Sequence, residues 1–265
     1  MNTMRASLSV GAYEVYLFHD GIYSAPITDL IHPAGDAARD EAIARWGKAD
    51  FAVDVNCFGV HGPDGLFLID AGAGAFWGPA YGKAESALRQ AGFTPEQVST
   101  VLLTHNHSDH SLGLLDSQKS ARYPNADIRL PRGEFEDYGD KAASRALGWL
   151  KQAYGVQLTP LDLGPVLPGI DAIALPGHSP GHTGYLIHDD RKSLLVCGDV
   201  VHLEALQLPD PEVGFDYDAD KQAALHSRKA ALQMVAREGW HIAGGHITGI
   251  RQLRREGAGF AFREE

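Results

Sequence analysis

Cysteine is scarce in this 265-residue sequence, with only Cys57 and Cys197 present. Two thiols are too few for a disulfide framework or a cysteine-based zinc module, so a reducing compartment is the expected setting. No apolar run approaches the length of a membrane span. The first twenty residues lack a basic start followed by an apolar segment and a small-residue cleavage site, so a cytoplasmic protein without membrane contact is expected. Basic charge is also short, with 23 Lys and Arg against 34 Asp and Glu and a formal net charge of -11. Sequence-independent nucleic-acid binding depends on Lys and Arg neutralising phosphates, so nucleic acid is a poor partner for this chain. Repeats, low-complexity tracts and long charge blocks are absent as well, and residues 1–265 are expected to form one domain.

What remains is an ordinary globular composition, 44% hydrophobic and 22% charged, with an unusual 13 His. Strand-like segments run over 12–19 and 51–60, the second pairing with 66–70 across the turn Gly62-Pro63-Asp64-Gly65. Segment 36–48 has a helical composition, whereas 22–33 carries two prolines without a clear period and is expected to be a loop, with its apolar part 22–31 serving as a lid or dimer contact. A helix over 83–91 ends at Gly92, Thr94-Pro95-Glu96-Gln97 carries a capping signal, and strand 99–103 follows. Later strands are expected at 127–130, 172–175, 184–188 and 193–197. Helices are expected near 132–153, broken around Gly139, and near 219–238. The last would begin behind Asp218 and bury Ala224, Leu225, Ala231, Leu232 and Val235 on one face. Short strands grouped between helices in each half point to two sheets with helices packed outside.

The chemistry concentrates after strand 99–103, in Thr104-His105-Asn106-His107-Ser108-Asp109-His110. His105 and His107 are two apart and project to one side of an extended segment, where they can bind one ion. Asp109 and His110, as the chain turns, can face a second. Four ligands do not complete two hydrolytic ions. Three further donors follow apolar segments and stand beside glycines: His178 in Pro176-Gly177-His178, Asp199 in Gly198-Asp199, and His246 in Gly245-His246.

This order resembles the metallo-β-lactamase superfamily: His-x-His-x-Asp-His, Pro-Gly-His-x-x-Gly-His, Gly-Asp, then a late Gly-His. The resemblance covers nearly the whole chain. It implies an α/β fold, a four-layer αββα sandwich with two metals at one sheet edge. It further implies that His105, His107 and His178 bind the first ion, that Asp109, His110 and His246 bind the second, and that Asp199 bridges. Segments 70–79, 91–98 and 255–260 are similar to those of methyl parathion hydrolases and related arylesterases and lactonases. From the same resemblance Asp70 takes the place of a structural aspartate near the metal loop, and a homodimer is compatible.

Two divalent ions can hold a bridging hydroxide and polarise a carbonyl or phosphoryl oxygen. The expected reaction is hydrolysis of a small, neutral, apolar lactone or aryl ester, with Asp109 among the catalytic groups. Phosphotriester hydrolysis and mono-iron persulfide dioxygenation are the alternatives. Zinc is the leading metal, with manganese, iron and cobalt open, since His and Asp ligands suit all four. His202 stands three residues past Asp199, where related lactonases tend to have Tyr. It is expected either to donate a hydrogen bond or proton to the substrate or to form pocket wall. His182 is expected to orient the His178 loop, and Cys197 to be core. Phe76, Trp77, Tyr81, Leu206, Leu208, Phe215 and Tyr217 are expected around an apolar pocket.

Overall fold

The computed structural model describes residues 6–136 and 138–264. Its strands are β1 (Ser7–Val10), β2 (Tyr13–Pro26), β3 (Leu30–Ile31), β4 (Asp50–Gly62), β5 (Gly65–Ile69), β6 (Val98–Leu102), β7 (Asp127–Pro131) and β8 (Leu158–Leu161) in the first half. The second half adds β9 (Gly164–Leu167), β10 (Ile170–Ala174), β11 (Thr183–His188), β12 (Ser193–Val196), β13 (Gly214–Phe215), β14 (His241–Ala243), β15 (Arg251–Glu256) and β16 (Gly259–Phe262). The helices are α1 (Asp36–Trp46), α2 (Ala84–Gln90), α3 (Ser108–Ser111), α4 (Lys141–Tyr154), α5 (Glu204–Gln207) and α6 (Lys221–Glu238).

Seven strands form one sheet in the order β1-β2-β4-β5-β6-β7-β8, and seven form the other in the order β16-β15-β14-β12-β11-β10-β9. Pairing in the first sheet is antiparallel up to β5 and parallel from β5 to β8. In the second, only β12 and β14 run parallel. Val15, Phe58, Val60, Phe67 and Ile69 from one sheet meet Tyr185, Ile187, Leu194 and Val196 from the other in a buried layer. Leu88 of α2 and Ala146 and Leu150 of α4 cover the outer face of the first sheet. Ala231, Leu232 and Val235 of α6 cover the second. Each sheet thus buries both faces, which explains why its central strands are continuous apolar runs, and the result is the four-layer αββα sandwich.

Several local expectations change. The segment 22–33 is mostly not a loop: β2 continues to Pro26 in register with β4, the pair Pro26 and Asp50 being its last. The proline is tolerated because it ends the strand. Nor is 22–31 a free apolar face, since Ala25, Ile27 and Leu30 are buried with Phe51, Leu206 and Phe215, leaving Ile22 exposed. The helical segment near 132–153 is divided on either side of Gly139 as expected, but its first part is only a 3-10 turn, Arg132–Phe135, before α4, whose cap is Asp140. The capping box of Thr94 and Gln97 forms but closes a single 3-10 turn. Helix α6 begins at Lys221 behind Asp220, which accepts from Ala223 N at 3.0 Å, not behind Asp218. Leu225, expected on its buried face, is only half-buried.

Candidate metal centre

Strands β6, β10, β12 and β14 end at one edge of the sandwich, and each hands its chain to a loop carrying a candidate ligand. Open sheets commonly bind ligands outside the carboxyl ends of their strands. After β6 the chain bends at Thr104, and His107, in an extended conformation, caps α3; His105 and His107 fall in one group of donors and Asp109 and His110 in the other. Asp199 and His246 follow the neighbouring parallel strands β12 and β14, which brings their loops side by side. Glycine permits the contact: a Cβ on Gly245 would lie 2.6 Å from both Asp199 Oδ1 and His110 Cε1.

All seven predicted residues converge. His105, His107, His178 and Asp199 offer donor atoms within 4.8 Å of one another, and so do Asp109, His110, Asp199 and His246. Asp199 belongs to both groups. Its Oδ2 is 3.3 Å from His178 Nε2 and 3.8 Å from His105 Nε2, while Oδ1 is 3.1 Å from His110 Nε2. His246 Nε2 lies 3.2 Å from Asp199 Oδ2 and 3.6 Å from Asp109 Oδ2.

These residues fit two divalent ions on the state of their buried atoms. His105 Nε2, His110 Nε2 and Asp199 Oδ1 are buried without a hydrogen bond of proper geometry, an arrangement that is costly unless something else satisfies them. His107 Nδ1 and His178 Nε2 face each other at 2.8 Å. Burial and the neighbouring imidazoles push His105 down, keeping it neutral as a ligand must be. His178 is the opposite case: burial alone would lower it, but the Asp199 and Asp218 carboxylates outweigh that and lift it to about 9, so an ion bound at its Nε2 would have to displace a proton.

The opposite ring nitrogens are all occupied. His110 Nδ1 bonds Asp70 at 2.8 Å, His178 Nδ1 bonds Asp218 at 2.9 Å, and His246 Nδ1 bonds the Asp54 carbonyl at 2.7 Å. His105 Nδ1 meets Thr104 Oγ1 at 3.0 Å, and His107 Nε2 is 3.4 Å from Asp140 Oδ2. Such outer partners fix the tautomer and ring orientation of metal-binding histidines. Asp70, expected here, adopts φ 59 and also accepts from Thr104 N at 2.7 Å. His182 Nε2 accepts from Asp199 N at 2.9 Å, so it orients the Asp199 loop as well as its own. Asp140 and Asp218 were not anticipated. Asp140 also caps α4, accepting from Ala142 N and Ala143 N. An aspartate before a helix reads as a cap, and only the fold turns it toward a histidine.

Above the two groups opens a cavity of about 280 Å³ lined by Tyr23, Val53, Trp77, Ser108, Asp140, Ala142, Ala143 and Tyr217, with His107, Asp109, His178, Asp199, His202 and His246 at its floor. Trp77 and Tyr217 are therefore placed as expected. Phe76 is not: its ring packs on Trp149 at 5.5 Å against the core. Leu206 and Phe215 are buried behind the wall, and Leu208 packs in the core under α6. Tyr81 packs edge-on against Trp77, outside the lining. Tyr23 and Val53 were missed because they sit on the part of β2 and β4 whose pairing the sequence did not reveal. His202 is 3% exposed, its Nε2 is 3.4 Å from Asp199 Oδ2, and among the described residues neither ring nitrogen has a hydrogen bond of proper geometry. Burial pushes its imidazole down to about 4, so it is neutral near pH 7. Cys197 is fully buried in the core, as expected.

Comparison with known proteins agrees with this geometry. The chain is 27% identical over 164 residues to an N-acyl homoserine lactonase of Bacillus cereus, a match covering 60% of this chain and 60% of that protein. It is 28% identical over 146 residues to a hydroxyacylglutathione hydrolase of Acidiphilium cryptum, covering 51% of this chain and 47% of that one. The chain thus spans three fifths or less of the curated relatives it matches. Among solved structures, AidC, a dizinc quorum-quenching lactonase in complex with a product, superposes with a TM-score of 0.86 at 22% identity, covering 100% and 99% of the two chains. At that identity the likeness concerns the fold. The hydrolase AbOPH of the beta lactamase superfamily superposes with a TM-score of 0.85 at 26% identity, covering 98% and 96%. The model of the Metallo-beta-lactamase superfamily matches residues 51–246, well over half of the sequence and every predicted ligand, and the chain belongs to that superfamily.

Proposed function

We propose that the protein is a dinuclear metal-dependent hydrolase of small apolar lactones or aryl esters, working as one domain whose two sheets both supply ligands. The observation that carries this reading is Asp199, shared between two groups of donors at the floor of one cavity. A mono-iron dioxygenase would need only one such group. His105, His107, His178 and Asp199 would hold one ion, and Asp109, His110, His246 and Asp199 the other, zinc being the first choice for both. The chemistry that two such ions would supply there is activation of water at neutral pH and polarisation of the substrate oxygen.

The chain's own residues do the rest. Tyr23, Val53, Trp77 and Tyr217 offer apolar wall to a substrate that has no charge to satisfy. Trp77 Nε1 donates to Ser108 Oγ at 3.1 Å, which fixes the indole against the α3 turn. His202, neutral and, among the described residues, without a hydrogen bond of proper geometry, has a ring proton free for a negative charge developing on the substrate oxygen. Its low proton affinity makes it a hydrogen-bond donor and not the acid that protonates the leaving group. The names of the lactonase relatives and of the matched structures support a lactone first and give no comparable support to a phosphotriester. The finer likeness to methyl parathion hydrolases carries no weight in this choice.

The test is a hydrolysis panel on protein of measured metal content, covering N-acyl homoserine lactones, aliphatic and aromatic lactones, aryl esters, a phosphotriester and a β-lactam. Preferred turnover of lactones or aryl esters with two ions per chain is the expected result. Preference for the phosphotriester, or a single iron per chain, would overturn the reading.

A further inference from the structure

We infer that Glu134 is the positioning residue of the first metal group, holding His105 and His107 on one sheet in register with His178 on the other. The inference rests on the dinuclear reading above. Glu134 lies in the 3-10 turn after β7 and is 1% exposed. Its Oε2 accepts from Asn106 N at 3.0 Å. Its Oε1 accepts from Ser179 Oγ at 2.6 Å and from Gly181 N at 2.8 Å. Asn106 stands between His105 and His107, and Ser179 follows His178. One carboxylate therefore grips the backbone between two candidate ligands of the first sheet and the loop of a third from the second sheet.

A side chain that served only packing would be apolar here. Burying a carboxylate is costly unless its oxygens are well satisfied, and among the described residues no ion pair with Lys or Arg accompanies Glu134. Three neutral donors converge on it instead. The approach is close enough to demand glycine, since a Cβ on Gly181 would lie 2.8 Å from Glu134 N and 2.9 Å from its Cγ. The first group needs such a tie because its three imidazoles come from two sheets, and a shift of one loop against the other separates His178 from His105 and His107. The second group is tied elsewhere: Asn56 Nδ2 donates to Ile247 O at 2.9 Å, and His246 Nδ1 meets the Asp54 carbonyl at 2.7 Å. Loss of Glu134 must then act on one ion site and spare the other, which a general folding role would not do.

Zinc titration of metal-free protein against a competing chelator reads the two affinities. Glu134→Ala is expected to weaken the first site by about 10–100-fold, the usual effect of removing an outer partner, and to leave the second unchanged. Glu134→Gln keeps an acceptor for Ser179 and Gly181 but sets an amide NH₂ against Asn106 N–H, so a smaller loss at the same site is expected. The effect should persist in a His246→Ala background and vanish in a His178→Ala background. Circular dichroism of the metal-free variants establishes that they are folded; should the alanine variant not fold, the glutamine variant decides by the same criterion. Two zinc ions bound with unaltered affinity, or with both sites weakened equally, overturn the role of Glu134 alone. Wild-type protein that takes up no zinc overturns the metal centre and this inference together.

Discussion

The two metal groups share a carboxylate but are supported from different parts of the molecule. His107 and His178 lean on Asp140 and Asp218, which stand just outside the sandwich where chain approaches α4 and α6. His110 and His246 lean on Asp70 and the Asp54 carbonyl, at the end of β5 and within β4. Exposure singles out one ligand of the first group and not the group: the His107 side chain is 18% exposed, whereas that of His105 is fully buried and that of Asp109 in the second group is 11% exposed. By its supports the second group is an extension of the core, and the first is assembled at its margin by loops. Substitutions behind the second should disturb fold and metal together, and substitutions behind the first should disturb metal with little effect on the fold.

The residue common to both groups gives the largest expected effect. Asp199→Ala removes a donor from each, so turnover should fall to background and metal analysis should find both ions weakly held. Retention of one tightly bound ion would show that the groups are less coupled than their shared carboxylate implies. Next in size is His202→Ala. Removing one preorganised donor to a developing oxyanion costs about 10²–10³ in kcat, and metal content should stay at two. Because His202 has been pushed down to about 4, it does not titrate between pH 6 and 9, and the variant should keep the shape of the wild-type pH profile there. A profile that loses its acid or alkaline limb would restore His202 as a proton carrier.

Asp70→Asn and Asp218→Asn test the two supports directly. Each should weaken zinc by about 10–100-fold, the first at the His110 site and the second at the His178 site. Metal-free stability should separate them. Asp70 is buried, accepts from both the backbone and the hydroxyl of Thr104, and holds His110. Asparagine tolerates its positive φ but replaces one acceptor by a donor, so a loss of about 1–3 kcal/mol is expected. The melting temperature of metal-free Asp218→Asn should fall less than that of Asp70→Asn. Equal losses would put both groups in the core.

How legible each part was in the sequence follows from the same division. Ligands were readable because they sit in short segments with fixed spacing after apolar strands, a spacing that brings His105 and His107 into one group of donors. The central strands were readable for the same apolar runs. Strand β15, Arg251–Glu256, was not, because its only buried residue is Leu253 and its pairing is decided by neighbours far along the chain. The second part of β2 was hidden by Pro26 and by the register shift between His19 and Gly21. Phe76, Leu206 and Phe215 were misplaced because aromatic and aliphatic residues carry no mark distinguishing cavity wall from the core behind it. Asp140, Asp218 and Glu134 had no spacing relation to the residues they hold.

Asp140 is where the smallest effect is expected, and for a reason that opposes its charge. Its hydrogen bond to His107, followed by those from Ala142 N and Ala143 N, outweighs burial and holds its carboxyl well below the usual carboxylate range. It is therefore ionised throughout pH 6–8, and its contribution is lost only on strong acidification. Its side chain is 33% exposed, however, so solvent screens the interaction with His107 in a way it cannot for Asp218, which is 2% exposed. Asparagine is also as good an N-cap as aspartate, so Asp140→Asn should leave α4 intact. The expected outcome is a loss of zinc affinity of no more than about tenfold at the His107 site, below the range for a buried partner, and an unchanged thermal melt. A loss matching that of Asp218→Asn in the same chelator competition would mean that the exposed carboxylate and the buried one restrain their histidines equally, and that solvent access does not grade the supports of the first site.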